Sequence, residues 1–140
     1  MKIWVSAALV LLGSMMSGAV QAQSSELYQQ LGERSGIETI VEEMLLGVAD
    51  DERIAHYFAD VDILRLHKLI SEQVCNVSGG PCEYTGDSMA VSHNNLGINN
   101  ADFNALVEHL IAAMEQENVP VAAQNELLAL LAPMHQDIVE

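Results

Sequence analysis

The sequence predicts an all-α protein, on three observations. Apolar residues recur at helical spacing in four stretches, the apolar–polar alternation of strands is nearly absent, and residues that cap helices stand at the head of several of these stretches. No repeat, linker or low-complexity tract divides the chain, so one domain with a single core is expected.

The chain opens with Met1-Lys2, an apolar run from Ile3 to Leu12 and a small-residue stretch ending Val20-Gln21-Ala22. A basic start, a short apolar run and an Ala-x-Ala-like end describe a secretory signal. The run is too short to span a bilayer, and no cysteine follows it to carry a lipid. Residues 1–22 are therefore expected to be a signal peptide cleaved after Ala22, with residues 23–140 forming a domain that is periplasmic or secreted.

Helical periodicity then begins in earnest. Ser35-Gly36-Ile37-Glu38 has capping-box spacing ahead of Ile37, Ile40, Val41, Met44, Leu45 and Val48, with Glu38, Glu42 and Glu43 on the other side. Asp50 and Asp51 introduce a turn into His56-Tyr57-Phe58. Asp62 is placed to cap a second helix with Ile63, Leu66, Leu69, Ile70 and Val74 on one face. From Val77 to Thr85 the composition is turn-forming, and a short apolar helical segment follows from Met89 to Leu96, ended by Gly97. Asn99-Asn100-Ala101-Asp102 starts a helix with Phe103, Val107, Leu110, Ile111 and Met114 at core spacing. Pro120 suits the first turn of the last helix, whose face holds Leu127, Leu128, Leu131 and Met134.

Charge narrows the function classes. The net charge is −15, and all 20 acidic residues follow Ala22, against only Arg34, Arg53, Arg65 and Lys68 in the same region. Such a surface repels nucleic acid and anionic membranes and keeps a monomer in solution, so no nucleic acid and no stable membrane association are expected. An apolar content of 50% argues against disorder. With 4% aromatic residues, a ring-lined site must rest on very few side chains.

Cys75 and Cys82 are the only cysteines. In an exported chain an even count favours a disulfide, free thiols being the alternative. The bridge would pin the segment carrying Leu66 and Ile70 to the glycine loop. Neither Cys-x-x-Cys nor Cys-x-x-Cys-His occurs, which removes the redox motif and the usual c-type haem attachment.

His93 is the most informative single residue. Presented from a short apolar segment behind the bendable Gly79-Gly80-Pro81 and Tyr84-Thr85-Gly86, its imidazole is what a haem iron needs on its proximal side. Taken alone, the same residue also reads as an ordinary core histidine.

The surrounding pattern decides between the two. Tyr28-x-x-Leu31-Gly32, Ile37-Glu38-x-x-Val41, Tyr57-Phe58-Ala59-Asp60-Val61-Asp62, Gly79-Gly80-Pro81-x-x-Tyr84-Thr85-Gly86-x-x-Met89 and His93-x-x-Leu96-Gly97-Ile98 stand in register over most of the chain. From about Leu27 to Val139 the sequence resembles the truncated haemoglobins, group I among them. The resemblance implies a globin-like two-over-two helical sandwich holding one haem b per chain, with His93 as the iron ligand and Phe58 against the porphyrin. Leu45, Leu66, Lys68, Ile70, Val74, Tyr84, Met89 and Leu96 complete the implied cofactor contacts.

The departures from the family pattern are informative too. Family members commonly have tyrosine at the position of Leu45 and glutamine at that of Leu66 or Ile70, side chains that donate hydrogen bonds to dioxygen. Met44, Leu45, Leu66, Leu69, Ile70 and Val74 leave this pocket almost without a donor. A missing hydrogen bond of about 1–3 kcal/mol weakens oxygen binding roughly tenfold to hundredfold, and carbon monoxide and nitric oxide less. Glu33 stands where a second glycine is usual, and an arginine common near Asp87 is missing.

Among the remaining side chains, Lys68 and His67 are expected at a haem propionate or solvated. The seat of a sixth-ligand histidine in some cyanobacterial members corresponds to Leu69, so His67 points elsewhere. His135, His109 and His56 read as surface groups, Tyr84 as packing under the haem edge, and Met114 and Met134 as core. The function expected is binding of a small diatomic gas (O2, CO or NO), with a reductase as a further partner. The alternatives are a haem-dependent nitric oxide dioxygenase or peroxide-detoxifying enzyme, for which a charge-stabilising distal group is wanting, and an exported helical binding module without haem.

Overall fold

Ser25 stands at the head of the first helix: its hydroxyl accepts the Tyr28 amide at 3.3 Å and caps helix α1 (Glu26–Gln30). The same hydroxyl donates to the Ser78 carbonyl, tying the chain's entry to the far end of a later helix. The computed structural model describes residues 25–140, and these contain helices and turns but no strand. The expected leader and its cleavage point lie outside the described residues.

Gly32 (φ +85°) turns the chain directly into α2 (Glu33–Ala49), and Glu33 shares the left-handed conformation at φ 58°. A side chain at Gly32 would fall 2.9 Å from the Gly36 Cα, so the turn requires glycine there. This start overtakes the capping box expected at Ser35. Ser35 already lies inside the helix, and its carbonyl accepts the Thr39 hydroxyl at 3.0 Å. The apolar face of α2 forms as its spacing requires, with Ile37, Ile40, Val41, Met44 and Val48 no more than 3% exposed. Fully burying side chains of this kind stabilises by about 1.5–3 kcal/mol each.

A 3-10 turn (Ala55–Phe58) leads to α3 (Ile63–Val77), where the Asp62 carboxylate accepts the Arg65 amide at 3.0 Å. Val74 and Cys75 are buried, while Leu66, Leu69 and Ile70 stay half-exposed. Cys75 and Cys82 are joined, with Cα atoms 5.7 Å apart, which holds the following loop against the end of α3.

Helix α4 is one turn long (Met89–Ser92), capped by Ser88. It stops at His93 rather than running on to Leu96 as expected, because the residues beyond turn back: Asn95 and Gly97 take φ 60° and 69°. Helix α5 (Asn100–Gln116) opens with a full Asn99–Asp102 capping box. Leu110 and Met114 reach its core as expected. Phe103, Val107 and Ile111 remain half-buried, and Ala105 and Ala113 occupy the close helix contact instead. Pro120 stands just before α6 (Val121–Leu131) rather than inside its first turn, and a 3-10 turn (Ala132–Met134) leads to α7 (His135–Ile138).

Helix α2 is the centre of the sandwich, packed on α3 and α5, while α6 meets α1 and α3. The main core draws on all four long helices, and a smaller cluster of Val48, Ile54 and Ala105 lies under Tyr57 and Phe58. The chief neighbour of α4 is α7, not α3. No helix among the described residues is long and apolar enough to cross a membrane.

Candidate functional site

The end of α4 fixes the state of His93. Its Nδ1 lies 2.9 Å from the Met89 carbonyl oxygen, with the Ser92 hydroxyl at 3.0 Å. A carbonyl only accepts, so Nδ1 is the donor, and in the neutral ring Nε2 keeps its lone pair. Nε2 has no hydrogen-bond partner among the described residues, and the ring is half-buried. This is the arrangement of a nitrogen ligand whose orientation is set by its other nitrogen.

The turn that follows is clamped from two sides. The Asn95 and Gly97 amides donate to the Glu140 carboxylate at 2.7 and 2.9 Å. Tyr57 donates to Asp102 at 2.8 Å and reaches the Gly97 carbonyl at 3.4 Å; the Asp102 carboxylate pushes the Tyr57 hydroxyl pKa up. Leu96, expected at the cofactor, is 44% exposed.

On α3, Leu66 and Ile70 pack against the core on one side and stay half-exposed on the other. Val74 below them is buried. Gln73, on the same helix, donates to the thioethers of Met89 and Met134, 3.4 Å to each. Met89 and Met134 are both half-buried, so Met134 is not the closed-core residue its spacing implied, whereas Met114 is.

Leu45 and Phe58 line a cavity of about 570 Å³ between α2, the Ala55–Phe58 turn and the start of α3, together with Leu46, Ile63, Leu64 and His67. His93 is not part of that lining. The expected site residues thus fall into two groups, an apolar cavity near α2 and an imidazole-bearing turn near α7, with α3 contributing to both.

Lys68, expected at a haem carboxylate, is engaged elsewhere. It ion-pairs with Glu72 at 2.8 Å and donates to the Thr85 hydroxyl at 3.3 Å. The Lys68 ammonium, together with the hydroxyl and amide of Thr85, holds the Glu72 carboxyl down at about 2. Tyr84 folds over its own loop: its hydroxyl donates to the Asp87 carbonyl at 2.7 Å, its ring covers Gly86, and burial raises its pKa.

The other histidines divide differently from their expected surface roles. His67 donates from Nε2 to the Glu38 carbonyl at 2.8 Å, turned toward α2. His109 is half-buried, with Nε2 2.7 Å from Asp51. Its ring lies over Gly47, where a side chain would come within 2.6 Å, and that vacancy admits it. Arg53 first, and then His109, hold the Asp51 carboxyl well below the usual carboxylate range. His135 is also half-buried, 2.6 Å from the Asn100 side chain and edge-on to Phe103. His56 is exposed and lies against Tyr57.

No group of three or more His, Cys, Asp or Glu side chains among the described residues could hold a metal ion. One imidazole holds iron only when the remaining positions are supplied by the cofactor's own ring. The residues fit such a flat apolar group: His93 would offer a ring nitrogen that has no hydrogen-bond partner among the described residues, and Leu66 and Ile70 on α3 present half-exposed apolar surface.

Gln73, Glu140 and the Glu72–Thr85 contact were missed by sequence reasoning. Gln73 carried a faint signal, as the one polar residue inside the helical spacing of Leu66, Ile70 and Val74. Glu140 carried none.

Comparison with known proteins gives the family and the fold. The model of the family described as bacterial-like globin matches residues 26–140. A group 1 truncated haemoglobin of Synechocystis sp. is 32% identical over 80% of this chain and 94% of its own length. Another from Mycolicibacterium paratuberculosis is 29% identical, covering 84% of this chain and 87% of that one. The crystal structure of the truncated haemoglobin from Tetrahymena pyriformis in its Fe(III) form superposes with a TM-score of 0.78 at 26% identity, over 81% of this chain and 97% of that chain.

Proposed function

The chain belongs to the bacterial-like globin family, among the group 1 truncated haemoglobins, and we propose that it binds a small diatomic gas at a haem held by His93. Globins carry a haem iron, which supplies the position that takes the gas. The observation that carries the reading is the His93 ring: Nδ1 is tied to the Met89 carbonyl, and Nε2 has no partner among the described residues. That geometry fixes the turn of the imidazole without placing a full charge behind it.

The chain's other residues set selectivity. Leu66 and Ile70, half-buried, and Val74, buried, make this side of α3 apolar, and Leu45 offers no hydrogen bond. His67, on the same helix, is committed to the Glu38 carbonyl. A site of this kind discriminates against dioxygen, whose bound form gathers negative charge, relative to carbon monoxide. It also disfavours dioxygenase or peroxidase chemistry, which needs a donor where charge develops.

We place the protein outside the cytoplasm, supported by the leader-like residues 1–22 and by the joined Cys75 and Cys82. The mature protein reconstituted with haem is expected to shift its Soret band under carbon monoxide, with oxygen held at least tenfold more weakly than by a Leu45→Tyr variant. A band that ignores carbon monoxide contradicts the reading. Mass spectrometry of the exported protein is expected to find Gln23 at its N-terminus; an uncut chain retained in the cytoplasm contradicts the location.

A further inference from the structure

We propose that Gln73 is a positioning residue for the His93 imidazole, acting through Met89; this rests on reading His93 as the iron ligand. Gln73 Nε2 lies 3.4 Å from the sulfurs of both Met89 and Met134. Thioethers accept and do not donate, so the end of the amide that faces them is the NH2, with one proton available for each sulfur. Met89 is therefore gripped twice. Its side chain is held by α3, and its carbonyl in turn holds His93 Nδ1 at 2.9 Å.

This grip matters because α4 has little else to orient it. It is a single turn whose chief neighbour is α7. Ser88 caps its start, and the Glu140 and Tyr57 contacts fix the backbone after His93. These restrain the two ends of the segment. Rotation of the turn about its own axis, which would swing the imidazole, is opposed from α3 by the Gln73–Met89 contact.

The chemistry of the side chain fits the task. A leucine would pack but could not donate, and a glutamate would set acceptor against acceptor. A lysine would place a full charge beside Leu66, Ile70 and Val74. A neutral amide donates to two soft sulfurs while leaving the site uncharged.

The test uses the haem-reconstituted mature protein and the iron–histidine stretching band of its ferrous form by resonance Raman. Gln73→Met keeps length and apolar bulk but removes the donor; Met89→Leu removes the acceptor. Each single variant is expected to move and broaden the band and to release haem to an acceptor globin about threefold faster. The double variant is expected to go no further than Gln73→Met alone, which already removes the Met89 contact together with the one to Met134. If Gln73→Met does not fold, Met89→Leu still reports the contact. An unmoved band and unchanged haem release in folded single variants overturn the proposal. So does a double variant whose effect is the sum of the two. A wild-type protein with no iron–histidine band would instead overturn the assignment of His93 itself, so the two failures are distinguishable.

Discussion

The two sides of this molecule are built to different standards of closure. Between α2, α5 and α6, side chains such as Ile37, Met114 and Leu127 are almost wholly buried. Across α3 and α4, residues of the same chemistry, Leu66, Leu69, Ile70 and Met89, are left half-uncovered. Leucine and isoleucine surface left half-exposed is a poor way to stabilise a fold and a good way to hold a flat apolar cofactor. The closed half holds the chain together, and the open half carries the residues proposed to hold the cofactor.

The sharpest way to break this contrast is to truncate one leucine on each side. Leu127→Ala, at 0% exposure, is expected to destabilise the haem-free protein by about 3–4 kcal/mol in denaturant unfolding. Leu66→Ala is expected to lose less than half as much without haem, and distinctly more once haem is bound. Equal losses in both states at Leu66 would mean that nothing covers that face.

Next in size is the Cys75–Cys82 bridge, which fastens the loop of the open side to the closed end of α3. Replacing both cysteines with serine is expected to remove about 2–3 kcal/mol, as for the closure of a short loop. Unchanged unfolding under reducing and oxidising conditions would show that the bridge constrains nothing.

Smaller still is Glu33, a non-glycine residue at φ 58° where the chain enters α2. Glu33→Gly is expected to stabilise by about 1 kcal/mol through relief of the left-handed conformation. A destabilised variant would show that the Glu33 side chain repays the strain elsewhere.

A pH titration then separates the loop from the core. The Glu72 pKa is lowered to about 2 by Lys68 and Thr85, from an ordinary 4.5. A depressed carboxyl contributes stability that is complete above the unfolded pKa and is lost as pH falls through the folded one. Loop anchoring by Glu72 is therefore expected to fade between about pH 4.5 and 2. Hydrogen exchange at the Thr85 amide should follow that fading, and in Glu72→Gln it should lose the pH dependence. A Thr85 amide that exchanges alike at pH 6 and pH 3 would contradict the assignment.

How much of this was legible in the sequence depended on distance along the chain. The buried face of α2, the Asp62 cap and the Asn99–Asp102 capping box rest on residues within a few turns of each other, and the spacing displayed them directly. The start of α2 was misplaced because Ser35 offered a familiar cap, while Gly32 and Glu33 supplied a tighter turn that composition does not advertise. His109 on Asp51 and Glu140 on Asn95 join residues far apart in sequence, so no local pattern announced them. Lys68 was read as a partner for a cofactor carboxylate; the structure pairs it with Glu72, one turn along the same helix.

The most direct measurement of the central claim is haem binding by His93→Gly with and without added imidazole. Wild-type protein is expected to take up one haem with a histidine-ligated spectrum. The variant should lose that spectrum and regain it when free imidazole fills the gap. If His93→Gly binds haem with an unaltered spectrum and no response to imidazole, the ligand lies elsewhere and the account fails.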